Sequence, residues 1–148
     1  MVTKMPCMRT LVVDDVDDFR HLLRSSLQER TRCEVVAEAS DGLQAVQQAE
    51  ELLPDLILLD LGLPTLNGME AARRIRKVSP DSKILFVTQN SSPEIAQGAL
   101  RLGACGYLLK SDATDLPCAV ETVLLGAKYM SSRVKQLDSP GQTKSPAV

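Results

Sequence analysis

The sequence predicts an α/β fold, a doubly wound three-layer sandwich built from five βα pairs. Two observations carry this. Short apolar runs of strand length alternate with longer stretches whose apolar residues recur at helical spacing, the pattern of βαβ units around a parallel sheet. The run Leu56-Ile57-Leu58-Leu59 is continuously apolar, as a strand buried on both faces must be.

The elements follow in order. Leu11-Val12-Val13 reads as the first strand, and Phe19, Leu22, Leu23 and Leu27 then form one apolar helix face. His21 falls off that stripe and is expected in solvent. Cys33 to Ala39 is a second strand centred on Val35 and Val36. Asp41-Gly42 breaks the pattern, and Leu43, Val46, Ala49 and Leu53 mark a second helix that Pro54 ends.

Leu63-Pro64 and Asn67-Gly68 are loop signals. They lead into a third helix, Met69 to Val78, with Arg73, Arg74, Arg76 and Lys77 mostly on its solvent side. Ile84 to Val87 is the fourth strand. Ser92-Pro93-Glu94 opens a fourth helix with proline in its first turn. Ile95, Ala99 and Leu102 supply the inner face of that helix, and Gly103 its C-terminal cap. Gly106 to Leu109 is a fifth strand and Leu116 to Leu125 a fifth helix. After Tyr129 the pattern dissolves; residues 130–148 are expected to be a linker or tail, with Ser139 to Val148 disordered.

Composition narrows the function classes. The 148 residues suffice for one core, and 44% apolar with 24% charged residues fits a soluble globular chain. A net charge of -2 argues against a broad nucleic-acid surface. No apolar run could span a bilayer, and Met1 to Met8 lacks a signal core, so a cytoplasmic location is expected. Cys7, Cys33, Cys105 and Cys118 have no metal-ligand spacing and read as reduced thiols. A single histidine excludes multi-histidine metal sites and histidine-relay hydrolases.

The chemistry gathers at strand ends. Asp14 and Asp15 follow the first strand, Asp60 the third, Thr88 the fourth and Lys110 the fifth. In an open parallel sheet these carboxyl ends share one edge, where ligand crevices form. Singly, each has an ordinary structural explanation, such as a helix cap or a solvated charge. Together they place three carboxylates, a hydroxyl and an ammonium in one crevice. Such carboxylates repel unless a cation joins them, and an oxygen-rich open site suits Mg²⁺. A carboxylate beside Mg²⁺ can attack phosphorus, with Lys110 and Thr88 contacting the phosphoryl oxygens.

Leu11-Val12-Val13-Asp14-Asp15, Leu58-Leu59-Asp60, Leu63-Pro64 to Gly68, Thr88 and Gly106-Tyr107-Leu108-Leu109-Lys110 resemble the receiver domain of two-component response regulators, over about Arg9 to Tyr129. Glu38 to Gly42, Gly103 to Lys110 and Gly126 to Ser131 are similar to the LuxR-type (nitrate-regulator-like) subfamily. The resemblance implies a flavodoxin-like fold with a five-stranded parallel sheet in the order 2-1-3-4-5. It implies that Asp60 is the phosphoacceptor. Asp15, Asp60 and the Gly62 carbonyl would bind Mg²⁺ directly, with Asp14 assisting through water. Lys110 would contact the phosphoryl group, Thr88 and Tyr107 would form the switch pair, and Pro64 and Gly68 would shape the loop after the site. The implied partners are a sensor histidine kinase, a second copy of the chain on phosphorylation, and DNA only through an output domain not seen in this sequence.

Two departures are visible. Gly62 stands where subfamily members usually carry a larger side chain, which would open the site to water. No second apolar pattern follows Arg133, so the chain reads as an excised receiver or a stand-alone one. A haloacid-dehalogenase-type phosphatase would want a second acid at position 62. A flavodoxin-like cofactor binder would want a phosphate loop where Asp14 to Asp18 stand, and that acidic run would repel phosphate.

Overall fold

The computed structural model describes residues 7–134. The N-terminal stretch read for a signal core falls almost wholly outside the described residues, and the tail expected from Ser139 to Val148 lies entirely outside them. The strands are β1 (Met8–Val13), β2 (Cys33–Ala39), β3 (Leu56–Leu59), β4 (Lys83–Thr88), β5 (Gly106–Leu109) and β6 (Tyr129–Met130). Between them run α1 (Asp17–Arg30), α2 (Gly42–Leu52), α3 (Gly68–Val78), α4 (Pro93–Leu102) and α5 (Leu116–Leu124), with a 3-10 helix over Lys110–Asp115. All strand pairings are parallel, in the order β2-β1-β3-β4-β5-β6. The first five strands stand in the expected order.

Alternation along the strands sends side chains to two cores. Leu11, Val13, Ile57, Leu59, Ile84, Phe86, Tyr107 and Leu109 face α2, α3 and α4, while Val12, Leu56, Leu58, Leu85, Val87 and Leu108 face α1 and α5. The helix starts are capped from within the sequence. Asp41 accepts from the Gln44 N–H, Asn67 from the Glu70 N–H and Ser92 from the Ile95 N–H. Gly103 closes α4 in the left-handed region at φ 118°.

Several expected inner faces differ. Leu22, Leu43, Leu53 and Ile95 are substantially exposed, and the buried positions are Leu23 and Leu27 on α1, Ala45 and Ala49 on α2, and Ala96 and Ala99 on α4. Alanine lets a helix lie close on the sheet, so the larger neighbouring residues rotate outward. His21 is exposed, as expected from its place off the α1 stripe.

The sheet also holds a sixth strand. Packing does not stop at Tyr129, because Tyr129–Met130 pairs with β5 and both Ser131 and Val134 are buried. Ser131 donates its N–H to the Tyr107 carbonyl, and its hydroxyl accepts from the Leu109 N–H at 2.9 Å. Those bonds satisfy the outer edge of β5, which a free tail would have left bare. Among the described residues, no helix is long and apolar enough to cross a membrane.

Candidate functional site

Each site residue is delivered by the end of a strand. The Asp60 N–H still bonds the Val13 carbonyl and the Asp14 N–H the Ala39 carbonyl, so both acids leave the sheet in register. Asp14 is fully buried, Asp15 is exposed, and Asp60 is 6% exposed. Their carboxylate oxygens lie within 4.8 Å of one another. Lys110 reaches in from the end of β5, its ammonium 2.9 Å from Asp14 Oδ2 and 3.1 Å from Asp60 Oδ2. An open crevice of about 510 Å³ lies over this group, with Asp15, Asp60, Gly62, Thr88, Asn90 and Lys110 among its walls.

The electrostatics follow from burial and charge. Burial pushes the Asp14 carboxyl above its ordinary value, against the pull of Lys110 and the Val16 N–H, and the nearby Asp60 charge pushes the same way. Burial works against the Lys110 charge, yet Asp14 and Asp60 carry its pKa above the usual lysine value. Its ammonium also sits 4.6 Å from the Phe19 ring centroid. Lys110 is therefore a fixed cation at the site.

A hard divalent cation fits these residues. The donor set is oxygen only, and Asp14 Oδ2 is buried with no well-aligned hydrogen bond beyond its Lys110 ion pair. Asp14, Asp15 and Asp60 are the group that could hold it.

Thr88 is buried at the end of β4, and its hydroxyl accepts from the Asn90 N–H at 3.3 Å. Tyr107 is buried too, tilted against Phe86 at 6.3 Å between ring centroids, and it donates its hydroxyl to the Asn90 carbonyl at 2.7 Å. Asn90 thus joins the two residues expected to act as a pair. Burial, with the charge of Asp60, pushes the Tyr107 pKa up to about 12.

The loop after the site is shaped by two glycines. A Cβ on Gly68 would lie 2.1 Å from the Asp60 carbonyl oxygen, and one on Gly42 would lie 1.9 Å from the Leu66 carbonyl oxygen. Pro64 is exposed and does not line the crevice; its carbonyl accepts from Leu66 and Gly42. Gly62 lines the crevice, its N–H 3.4 Å from Asp60 Oδ1, and a Cβ there would meet nothing within 4 Å.

The structure therefore brings Asp14, Asp15, Asp60, Thr88 and Lys110 together around one crevice. Tyr107 joins them through Asn90, and Pro64 is not among the crevice walls. Phe19, Asn90 and Gly42 went unrecognised as parts of the site in the sequence. Asn90 lies in the polar run Gln89 to Ser92 directly after Thr88, a signal that could have found it, whereas nothing local distinguishes Phe19 from a core residue.

Comparison with known proteins points the same way. The family described as response regulator receiver domain matches residues 10–121. The transcriptional regulatory protein DegU of Brevibacillus brevis is 36% identical over 128 residues, covering 86% of this chain and 54% of that protein. The crystal structure of a LuxR-family two-component response regulator from Aurantimonas sp. SI85-9A1 superposes with a TM-score of 0.87 at 34% identity, covering 93% of this chain and 99% of that one. The isolated REC domain of RcsB from Salmonella enterica serovar Typhimurium, solved with the phosphomimetic BeF3-, has a TM-score of 0.83 at 26% identity, covering 89% and 99%. The chain spans between half and two thirds of the length of the curated relatives it matches.

Proposed function

The chain belongs to the response regulator receiver family, and from that premise we propose that it is switched by a phosphoryl group accepted on Asp60 from the phosphohistidine of a sensor kinase. An Asp60 carboxylate oxygen bonds to phosphorus while the phosphorus–nitrogen bond breaks and its electron pair stays on the imidazole. Asp60 suits this role because it stands at the crevice wall, while Asp14 lies behind it with no exposure. The observation that carries the reading is the Lys110 ammonium shared between Asp14 and Asp60. It supplies a fixed counter-charge beside the acceptor, where the transferred oxygens arrive.

In this reading Asp15, Asp60 and the Gly62 carbonyl would hold Mg²⁺ directly, with Asp14 assisting through water. Bound there, the ion would supply positive charge against the phosphoryl oxygens. The Thr88 hydroxyl exchanges the Asn90 N–H for a phosphoryl oxygen. Asn90, which also accepts from Tyr107, then carries the change to the aromatic ring and the start of α4. Phosphorylation adds roughly two negative charges to the crevice, enough to bias such a two-state loop. Position 62 lacks the second acid that a phosphatase would use.

The output in this reading is control of transcription through a DNA-binding domain absent from this sequence, with a second copy as partner; a stand-alone receiver acting through protein contacts is the alternative. The transcriptional regulatory proteins DegU and LnrK, at 36% and 38% identity, support the transcriptional reading. Incubation with a small-molecule phosphodonor and Mg²⁺, read by intact mass, tests the central claim. A phosphate-sized gain is expected in the unmodified chain and none in Asp60→Asn. No gain in the unmodified chain overturns it.

A further inference from the structure

We propose that Arg20 is a positioning residue that holds the Asp14–Asp15 peptide in place and so sets the Mg²⁺ affinity of the crevice. The proposal rests on the receiver reading above. Arg20 lies in the first turn of α1, and its side chain is only 13% exposed. Its guanidinium donates to three acceptors from three parts of the fold. Nη1 reaches the Asp14 carbonyl at 2.7 Å, Nε reaches Glu38 Oε1 on β2 at 2.9 Å, and Nη2 reaches Asp17 Oδ1 at 2.7 Å. Three different nitrogens of one rigid planar fork each meet one acceptor, a spread that the single ammonium nitrogen of lysine lacks.

The Asp14 carbonyl is the oxygen of the peptide that leads into Asp15. The other polar groups of Asp14 are already held: its N–H by Ala39, Oδ1 by the Val16 N–H and Oδ2 by the Lys110 ammonium. Among the described residues, no hydrogen bond or ion pair holds the exposed Asp15 carboxylate. Its placement in the cation site therefore comes from its backbone, and Arg20 fixes the peptide plane on which that backbone depends.

A simpler reading makes Arg20 one half of a tie between α1 and β2. Arg24 separates the two readings. It stands on the same helix and donates to the same Glu38, at 2.9 Å, yet it does not reach Asp14. Charge gives a second discriminator. Removing a cation near three carboxylates should by itself strengthen Mg²⁺ binding, so a weakening reports lost placement.

The test titrates Mg²⁺ into the full chain and follows amide chemical shifts, with the denaturant stability of every variant measured alongside. Arg20→Ala is expected to weaken Mg²⁺ binding by roughly tenfold or more, the usual scale when a group orienting a ligand is lost. Arg24→Ala is expected to bind as the unmodified chain does. Arg20→Lys keeps the charge and loses the fork, and should weaken binding in the same direction; it carries the comparison if Arg20→Ala fails to fold. At saturating Mg²⁺, phosphorylation of the Arg20 variants by a small phosphodonor should recover, so the defect appears in the Mg²⁺ requirement and not in the maximal rate. The proposal is overturned if Arg20→Ala binds Mg²⁺ as tightly as the unmodified chain, or if Arg24→Ala weakens binding equally. If the unmodified chain itself neither binds Mg²⁺ nor gains phosphate, the receiver reading falls and this proposal with it.

Discussion

Replacing Gly68 with alanine is expected to damage the site without touching any acid. Gly68 starts α3 directly against the end of β3. An added Cβ would sit 2.1 Å from the Asp60 carbonyl oxygen, 2.7 Å from Leu61 Cα and 2.9 Å from the Asp60 carbonyl carbon. All three are backbone atoms, so no flexible side chain can yield. The residue is not in the left-handed region, so the requirement for glycine is one of clearance. Relief needs the start of α3, or the Asp60–Leu61 backbone, to retreat by more than an ångström. The Gly68 N–H holds the Leu61 carbonyl at 2.8 Å, so the two are pulled together as the Cβ forces them apart.

Overpacking of this kind costs about 1–3 kcal/mol, and Gly68→Ala should fall at the upper end. A displacement of Asp60 near an ångström should slow phosphorylation by on the order of 100-fold. Gly62→Ala, two residues after Asp60, is the comparison, because its Cβ meets nothing within 4 Å. Its stability should stay within about 0.5 kcal/mol of the unmodified chain. The lifetime of the phosphorylated form should lengthen as water access narrows. Urea unfolding gives the stabilities, and intact mass after phosphodonor treatment gives rates and lifetimes. Equal stability and equal phosphorylation rates in the two variants would refute the claim that close approach at Gly68 places Asp60.

Two further outcomes follow from buried hydroxyls. Tyr107 has its pKa raised from 10.0 to about 12, so between those values the folded chain keeps a proton that the unfolded chain has lost. Stability therefore falls as pH rises above 10, and the advantage of the unmodified chain over Tyr107→Phe should shrink across that window. A pH-independent difference between the two would show that Tyr107 does not titrate this way. Ser131→Ala leaves the Leu109 N–H without the oxygen it bonds at 2.9 Å. It should destabilise the chain by about 1–3 kcal/mol and speed amide exchange along β5. Unchanged exchange at Leu109 would mean that the segment after β6 does not hold that strand.

Much of the architecture was legible in the sequence alone. Strand and helix identity follow from local periodicity, as with Leu56 to Leu59. Helix boundaries follow from local chemistry, as at Asp41, Asn67, Ser92-Pro93 and Gly103. The assembly of the acids, Thr88 and Lys110 was legible too, because parallel winding brings all strand ends to one edge. Tertiary structure alone decided the rest. It chose Ala45 over Leu43 and Ala96 over Ile95 for the core, since helix-to-sheet distance ranks side chains by the space left for them. It turned the start of the tail expected after Tyr129 into part of an edge strand, since a two-residue pairing leaves no period to read. It paired Lys110 with Asp14, Asp60 and Phe19, and Arg20 with Glu38 and the Asp14 carbonyl. Periodicity and caps are properties of neighbours along the chain, whereas clearance and the choice of a charge partner depend on atoms the chain brings together from far apart.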